Sequence, residues 1–124
     1  MQIALAGDHA GLEMRAHLAE VVGQLGHEPV LVGPLEGERV DFPVAAEAVC
    51  RELMAGRVQR GILLCGSGAG MTIAANRFPG VRAATAHDTY TAHQMVEHDA
   101  ANVLTLGTRV IGLEIGRASC RERV

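Results

Sequence analysis

The stretch Gly61-Ile62-Leu63-Leu64-Cys65-Gly66-Ser67-Gly68-Ala69-Gly70 limits what this chain can become more than any other part of it. A short apolar run ends in a thiol, a loop with glycine at every second position follows, and an apolar helical spacing comes next. A short continuous apolar run fits a strand buried on both faces, the kind found in parallel sheets. A turn from such a strand into a helix leaves backbone N–H groups bare beside the thiol. Such a turn can hold an anion while a neighbouring side chain moves a proton.

The remainder of the 124 residues repeats this alternation. A buried-type strand is expected over 3–6. Met14, Leu18, Val21, Val22 and Leu25 recur at helical spacing, and Gly26 stops that helix. A second strand covers 29–32 and a loop 33–40. Asp41 can cap a helix over about 42–55, with Pro43 in its first turn. Strands follow at 61–65, 81–86 and 102–106, separated by helices over 70–76 and from Asp88 or Thr89 to about Glu97. This order predicts an α/β domain: three layers, Rossmann-like, with a mostly parallel five-stranded sheet. Ligands in such folds sit beyond the carboxyl ends of the strands. Asp8-His9, the loop from Cys65 to Gly70, and His87-Asp88 all fall at those ends.

Composition excludes several functions. All 11 basic residues are arginine, so neither a Schiff-base lysine nor the lysine of a phosphate-binding P-loop is available. The net charge of −3 and the absence of a basic stripe argue against nucleic acid as a partner. No apolar run approaches a membrane span, and the amino terminus lacks the charged start of a signal peptide. Three cysteines without paired spacing suit a reducing compartment, and a cytoplasmic location is expected. There is no C-x-x-C or H-E-x-x-H pair, so neither a metal nor another cofactor is expected.

A lone cysteine usually packs as a small hydrophobe, and Cys50, inside an apolar helical pattern, reads that way. Cys65 differs in standing at a strand end beside a helix start, where N–H groups favour the thiolate. The loop Gly66-Ser67-Gly68-Ala69-Gly70 is either a flexible turn or an anion hole with the Ser67 hydroxyl as a further donor. Its G-x-G-x-G spacing does not match the dinucleotide fingerprint. Asp8 and His9 can bind a hydroxyl or a phosphate. His98, at the end of the fourth helix, is either a C-cap favoured by the helix dipole or a general acid/base. His17, His27 and His93 read as helix-surface or turn residues.

Taken together, Gly7-Asp8-His9-Ala10-Gly11, Asp41-Phe42-Pro43, residues 61–70, Ile73-Ala74-Ala75-Asn76-Arg77, residues 80–84 and residues 98–112 resemble the ribose-5-phosphate isomerase B family, which includes the galactose-6-phosphate isomerase subunits. The resemblance runs collinearly over residues 1 to about 114. It implies metal-free aldose–ketose isomerisation of a sugar phosphate, with Cys65 as the base moving a proton between C1 and C2. It further implies enediolate stabilisation by the N–H groups of Gly66, Ser67, Gly68, Ala69 and Gly70, with Ser67 assisting. His98 would open the sugar ring. Asp8, His9 and Arg109 would contact the sugar or its phosphate, in a homodimer with active sites at the subunit interface.

Two departures stand out. Asp99 follows His98 where the family usually has Asn, which leaves another tetrose, pentose or hexose phosphate open as substrate. Residues 114–124 lose apolar periodicity and read as an in-frame translation of a sequencing-adapter oligonucleotide. The expected isomerase domain is therefore 1–113, followed by a read-through tail that replaces a helix carrying two phosphate-binding arginines. A phosphosugar- or nucleotide-binding module without catalysis is the rival from another functional class.

Overall fold

The computed structural model describes residues 1–34 and 40–123, so most of the loop expected at 33–40 lies outside the described residues. The strands are β1 (Gln2–Gly7), β2 (Glu28–Leu31), β3 (Arg60–Cys65), β4 (Ala83–Thr85) and β5 (Val103–Gly107). The helices are α1 (Leu12–Gln24), α2 (Phe42–Met54), α3 (Ala69–Ala75), α4 (Thr89–Glu97) and α5 (Leu113–Arg123). All four strand pairings are parallel, in the order β2-β1-β3-β5-β4. The chain thus builds outward from β1 in one direction and then, from β3, in the other. The reversal lies between β1 and β3, and in open α/β sheets this is where the crevice for a ligand opens.

Strand periodicity divides the core into two. Ile3, Leu5, Ile62, Leu64, Leu104 and Leu106 face α1 and α4, packing on Leu18, Val22 and Met95. Ala4, Ala6, Leu63, Cys65 and Val103 face α2 and α3, packing on Ala45, Ala46, Val49 and Met71. The second face uses smaller side chains, which lets α2 approach the sheet closely. Cys50 is fully buried there, and burial pushes its thiol up to about 11, as expected of a bystander.

Some boundaries move for local reasons. Asp88 is the cap of α4: its carboxylate accepts the Thr91 N–H at 2.6 Å, which holds it below the usual carboxylate range. Asp41 occupies the N-cap of α2 without a side-chain capping bond. β4 spans three residues rather than the six expected, because Gly80 turns at φ 78° and the Arg82 N–H donates to the Asn102 side chain instead of to a strand.

α5 occupies the stretch set apart by its lost periodicity. It packs through small residues, Gly116, Ser119 and Cys120, which are buried at helical spacing. Its neighbours are α1 and α4, and the Glu122 carboxylate lies 3.1 Å from His93 Nδ1. Burial pushes the Cys120 thiol up to about 12. Among the described residues no helix is long and apolar enough to cross a membrane.

Candidate active site

At the carboxyl end of the sheet, on the β1 side of β3, lies a cleft of about 460 Å³ lined by Asp8, Phe42, Cys65, Gly66, Ser67, Gly70, Arg109 and Val110. Parallel pairing creates it. Gly7 pairs with Leu64, and Cys65 pairs with Gly107, so the loops after β1, β3 and β5 leave the sheet side by side. Thr108 ties them together: its N–H donates to Cys65 O at 2.8 Å and its hydroxyl to Ala10 O at 2.9 Å.

The thiol sits at the floor of the cleft, 5% exposed. Gly68 N–H donates to Cys65 Sγ at 3.1 Å, so the sulfur is held as an acceptor facing the loop. Gly68 can point its N–H this way because it takes φ 86°, a left-handed conformation that favours glycine. The Ala69 N–H donates to Ser67 Oγ at 3.2 Å, so the serine oxygen closes the loop as an acceptor and keeps its proton free to donate. Two of the loop's five donors, on Gly68 and Ala69, are therefore already used. Among the described residues, the N–H groups of Gly66, Ser67 and Gly70, all lining the cleft, have no such acceptor, and these are the ones open to an incoming anion.

The loop is pressed down from behind. A Cβ at Gly107 would lie 2.5 Å from Ser67 O, and Gly107 N–H donates to His87 Nε2 at 2.9 Å. Gly107→Ala should therefore displace the glycine loop, lower the unfolding free energy by about 1–3 kcal/mol and cut turnover more than substrate affinity. Denaturant unfolding with steady-state kinetics checks this; a variant of native stability and turnover would show that the loop tolerates the shift.

Of the other expected site residues, Asp8 is buried and lines the cleft, its Oδ1 accepting the Ala10 N–H at 2.9 Å. Arg109 lies across Gly66, its Cδ 3.5 Å from where a Cβ would stand. His9 is exposed on the loop after β1 and is not part of the cleft lining. Phe42 and Val110 join the lining although the sequence gives neither a site role. A Cβ at Gly70 would come within 3.0 Å of the Phe42 ring, so this side chain forms the wall opposite the loop. Its sequence signals are its place beside the cap of α2 and its membership of the Asp41-Phe42-Pro43 segment.

His98 and Asp99 are not brought to this cleft. They follow α4 and precede β5, at the amino end of the sheet, where Asn102 bonds Gly80 and Arg82. Cys65 pairs with Gly107 at the other end of β5. At roughly 3.3 Å per residue, the strand alone separates the two ends by about 13 Å. Both His98 and Asp99 are exposed. Among the described residues, no group of three or more His, Cys, Asp or Glu side chains is arranged to hold a metal ion.

Comparison with known proteins identifies the family. The model of the ribose/galactose isomerase family matches residues 3–122. The putative sugar phosphate isomerase YwlF of Bacillus subtilis is 42% identical over 118 residues, covering 94% of this chain and 79% of that one. D-erythrulose-4-phosphate isomerase 2 of Mycolicibacterium smegmatis is 36% identical over 126 residues, covering 98% and 82%. The solved structure of Clostridium thermocellum ribose-5-phosphate isomerase B superposes with a TM-score of 0.95 at 36% identity, covering 99% of this chain and 83% of that one. A doubly wound sheet, a thiol under a glycine loop and these likenesses over nearly the whole chain lead to one conclusion: the protein belongs to the ribose/galactose isomerase family.

Proposed function

We propose that this aldose–ketose isomerase acts on ribose 5-phosphate or a close relative, without a metal, through an enediolate, with Cys65 as the base. The observation that carries the reading is the Cys65 sulfur receiving the Gly68 N–H at 3.1 Å, in a cleft where other N–H donors stand open. The thiolate takes the proton from the carbon beside the carbonyl. The C–H electron pair becomes the C=C bond, and the carbonyl oxygen becomes an oxyanion facing those donors. Returning the proton to the neighbouring carbon, with a hydroxyl proton passing between O1 and O2, gives the isomer. Preorganised donors at a developing oxyanion are worth about 2.7–4 kcal/mol each in other enzymes, so the loop counts for as much as the base. Asp8 and Ser67 suit the sugar hydroxyls and Arg109 the phosphate, with His9 at the entrance.

The ring-opening acid/base in this reading is the partner subunit's His98, in a homodimer. Phe42, which lines the cleft, and Val44 and Ile73 elsewhere on α2 and α3 are exposed apolar side chains and give a second copy a face to cover. A reducing cytoplasm suits a free catalytic thiol. Asp99 beside His98 keeps a tetrose phosphate in view, as does the erythrulose-phosphate relative.

The test is incubation in deuterated water with ribose 5-phosphate, D-erythrulose 4-phosphate and galactose 6-phosphate in turn, followed by mass spectrometry of the sugar. Isomerisation with solvent deuterium entering at the transferred position is expected for ribose 5-phosphate. Binding of all three without exchange would leave only a binding module.

A further inference from the structure

Three threonine hydroxyls from three different elements meet behind the glycine loop. Thr72 on α3 lies 2.9 Å from Thr85 on β4 and 2.7 Å from Thr105 on β5, and Thr85 and Thr105 are 2.6 Å apart. Register makes the meeting possible: Thr85 and Thr105 are direct partners across the β4–β5 ladder. Thr105 is fully buried in a strand otherwise made of Val103, Leu104, Leu106 and Gly107. A hydroxyl there has a cost unless it is bonded, and valine has the same shape without that cost. A buried cluster of this kind could simply satisfy itself, but this one has an outward connection.

That connection runs to the catalytic loop. Thr72 Oγ1 donates to Gly68 O at 2.9 Å, and the Gly68 N–H is the group that donates to Cys65 Sγ. Proton counting fixes the direction. Thr72 spends its single hydroxyl proton on the Gly68 carbonyl, so its oxygen is left to accept from Thr105 or Thr85. The cluster therefore fixes the Thr72 rotamer, and Thr72 holds the Gly68 carbonyl through both its hydroxyl and its N–H, the latter at 3.1 Å. This pins the Gly68–Ala69 peptide plane, and the N–H of the preceding plane, on Gly68, points at the sulfur. The backbone of Leu106 and Gly107 backs Gly68 on the other side, within 3.2–3.3 Å of where a Cβ would be.

We infer that the Thr72–Thr85–Thr105 hydroxyl cluster is a positioning device for the isomerisation, holding Gly68 so that its N–H stays aimed at Cys65. The inference rests on the reading of Cys65 as the base. It predicts that shape without the hydroxyl fails, whereas hydroxyl with imperfect shape works. Thr105→Val should lower kcat about tenfold, the effect of losing one buried hydrogen-bond connection, with KM within about twofold. The rate of Cys65 carboxamidomethylation by iodoacetamide at neutral pH, read by mass from the Cys65 peptide, should fall in parallel. Thr105→Ser should restore both.

A purely packing role gives the opposite order, with valine harmless and serine damaging through its cavity. Thr85→Val, at the half-buried sheet edge, should move both readouts in the same direction by a smaller factor, and it decides the matter should Thr105→Val not fold. Wild-type kcat and wild-type alkylation in the valine variants would overturn the inference. Unchanged turnover in Cys65→Ala would instead remove Cys65 as the base. The alkylation rates would then still report whether the cluster acts on the sulfur, so the two failures are separable.

Discussion

Cys65→Ala should lower kcat by about 10²–10⁴-fold, the range a positioned general base supplies, while leaving substrate affinity within a few-fold. The geometry predicts this split. The side chain is 5% exposed and sits at the floor of the cleft, so its loss removes a proton acceptor without opening the walls. The donors on Gly66, Ser67 and Gly70 belong to the backbone and survive the substitution. Cys65→Ser should do little better, because an un-ionised hydroxyl is a far weaker base than a thiolate. The other two cysteines cannot substitute: burial pushes Cys50 up to about 11 and Cys120 up to about 12, leaving both as neutral thiols at working pH. Isothermal titration with substrate, paired with a coupled assay, checks both halves of the prediction. Turnover preserved in the alanine variant would move the base elsewhere.

Two inactive chains should restore each other. Cys65→Ala and His98→Asn, each near background alone on ribose 5-phosphate, should regain activity when co-expressed with different tags and isolated as the mixed dimer. The reason is distance. His98 stands at the amino end of the sheet and Cys65 at the carboxyl end, so one chain cannot supply both groups to one substrate. In the proposed homodimer, one of the two sites of a mixed pair would join an intact Cys65 to the partner subunit's intact His98. Random pairing in an unsorted sample should therefore give back roughly a quarter of the wild-type site number. His98 is exposed, so its replacement by asparagine should leave the fold alone. A purified mixed dimer that stays at background would mean that the two groups do not share a site.

The same variant reports on the substrate. Ribose 5-phosphate closes through its 4-hydroxyl into a furanose and must be opened. A tetrose 4-phosphate carries its phosphate on that oxygen and cannot close. Loss of a ring-opening group should therefore fall heavily on the pentose and lightly on the tetrose, so the pattern of His98→Asn across substrates separates ring opening from a general role in binding.

Several parts of the site are legible in the sequence because their signals are local. The strand at Gly61-Ile62-Leu63-Leu64-Cys65 announced itself by an apolar run, and the turn after it by its glycines. Asp8 was legible as a polar residue at a strand end. Phe42 was not, since an aromatic residue in the first turn of a helix carries no sign of which cleft it will wall. α5 was hidden because it packs through Gly116, Ser119 and Cys120, small residues that leave little trace in a hydrophobic pattern. Thr105 was hidden within an apolar strand, where a threonine normally reads as a β-branched filler.

The alternation of strands and helices, the parallel sheet, and a thiol followed by a glycine loop are written in local spacing, because periodicity and turn chemistry act over a few residues. The reversal of strand order between β1 and β3, which sets Asp8 beside Cys65, comes only from the packed fold. So do the identity of the loop N–H groups already used, the three hydroxyls converging behind them, and the place of His98 at the far end of the sheet. Those facts depend on strand register and on contacts between residues tens of positions apart, and local spacing along the chain carries no record of which distant element will fill the space beside it.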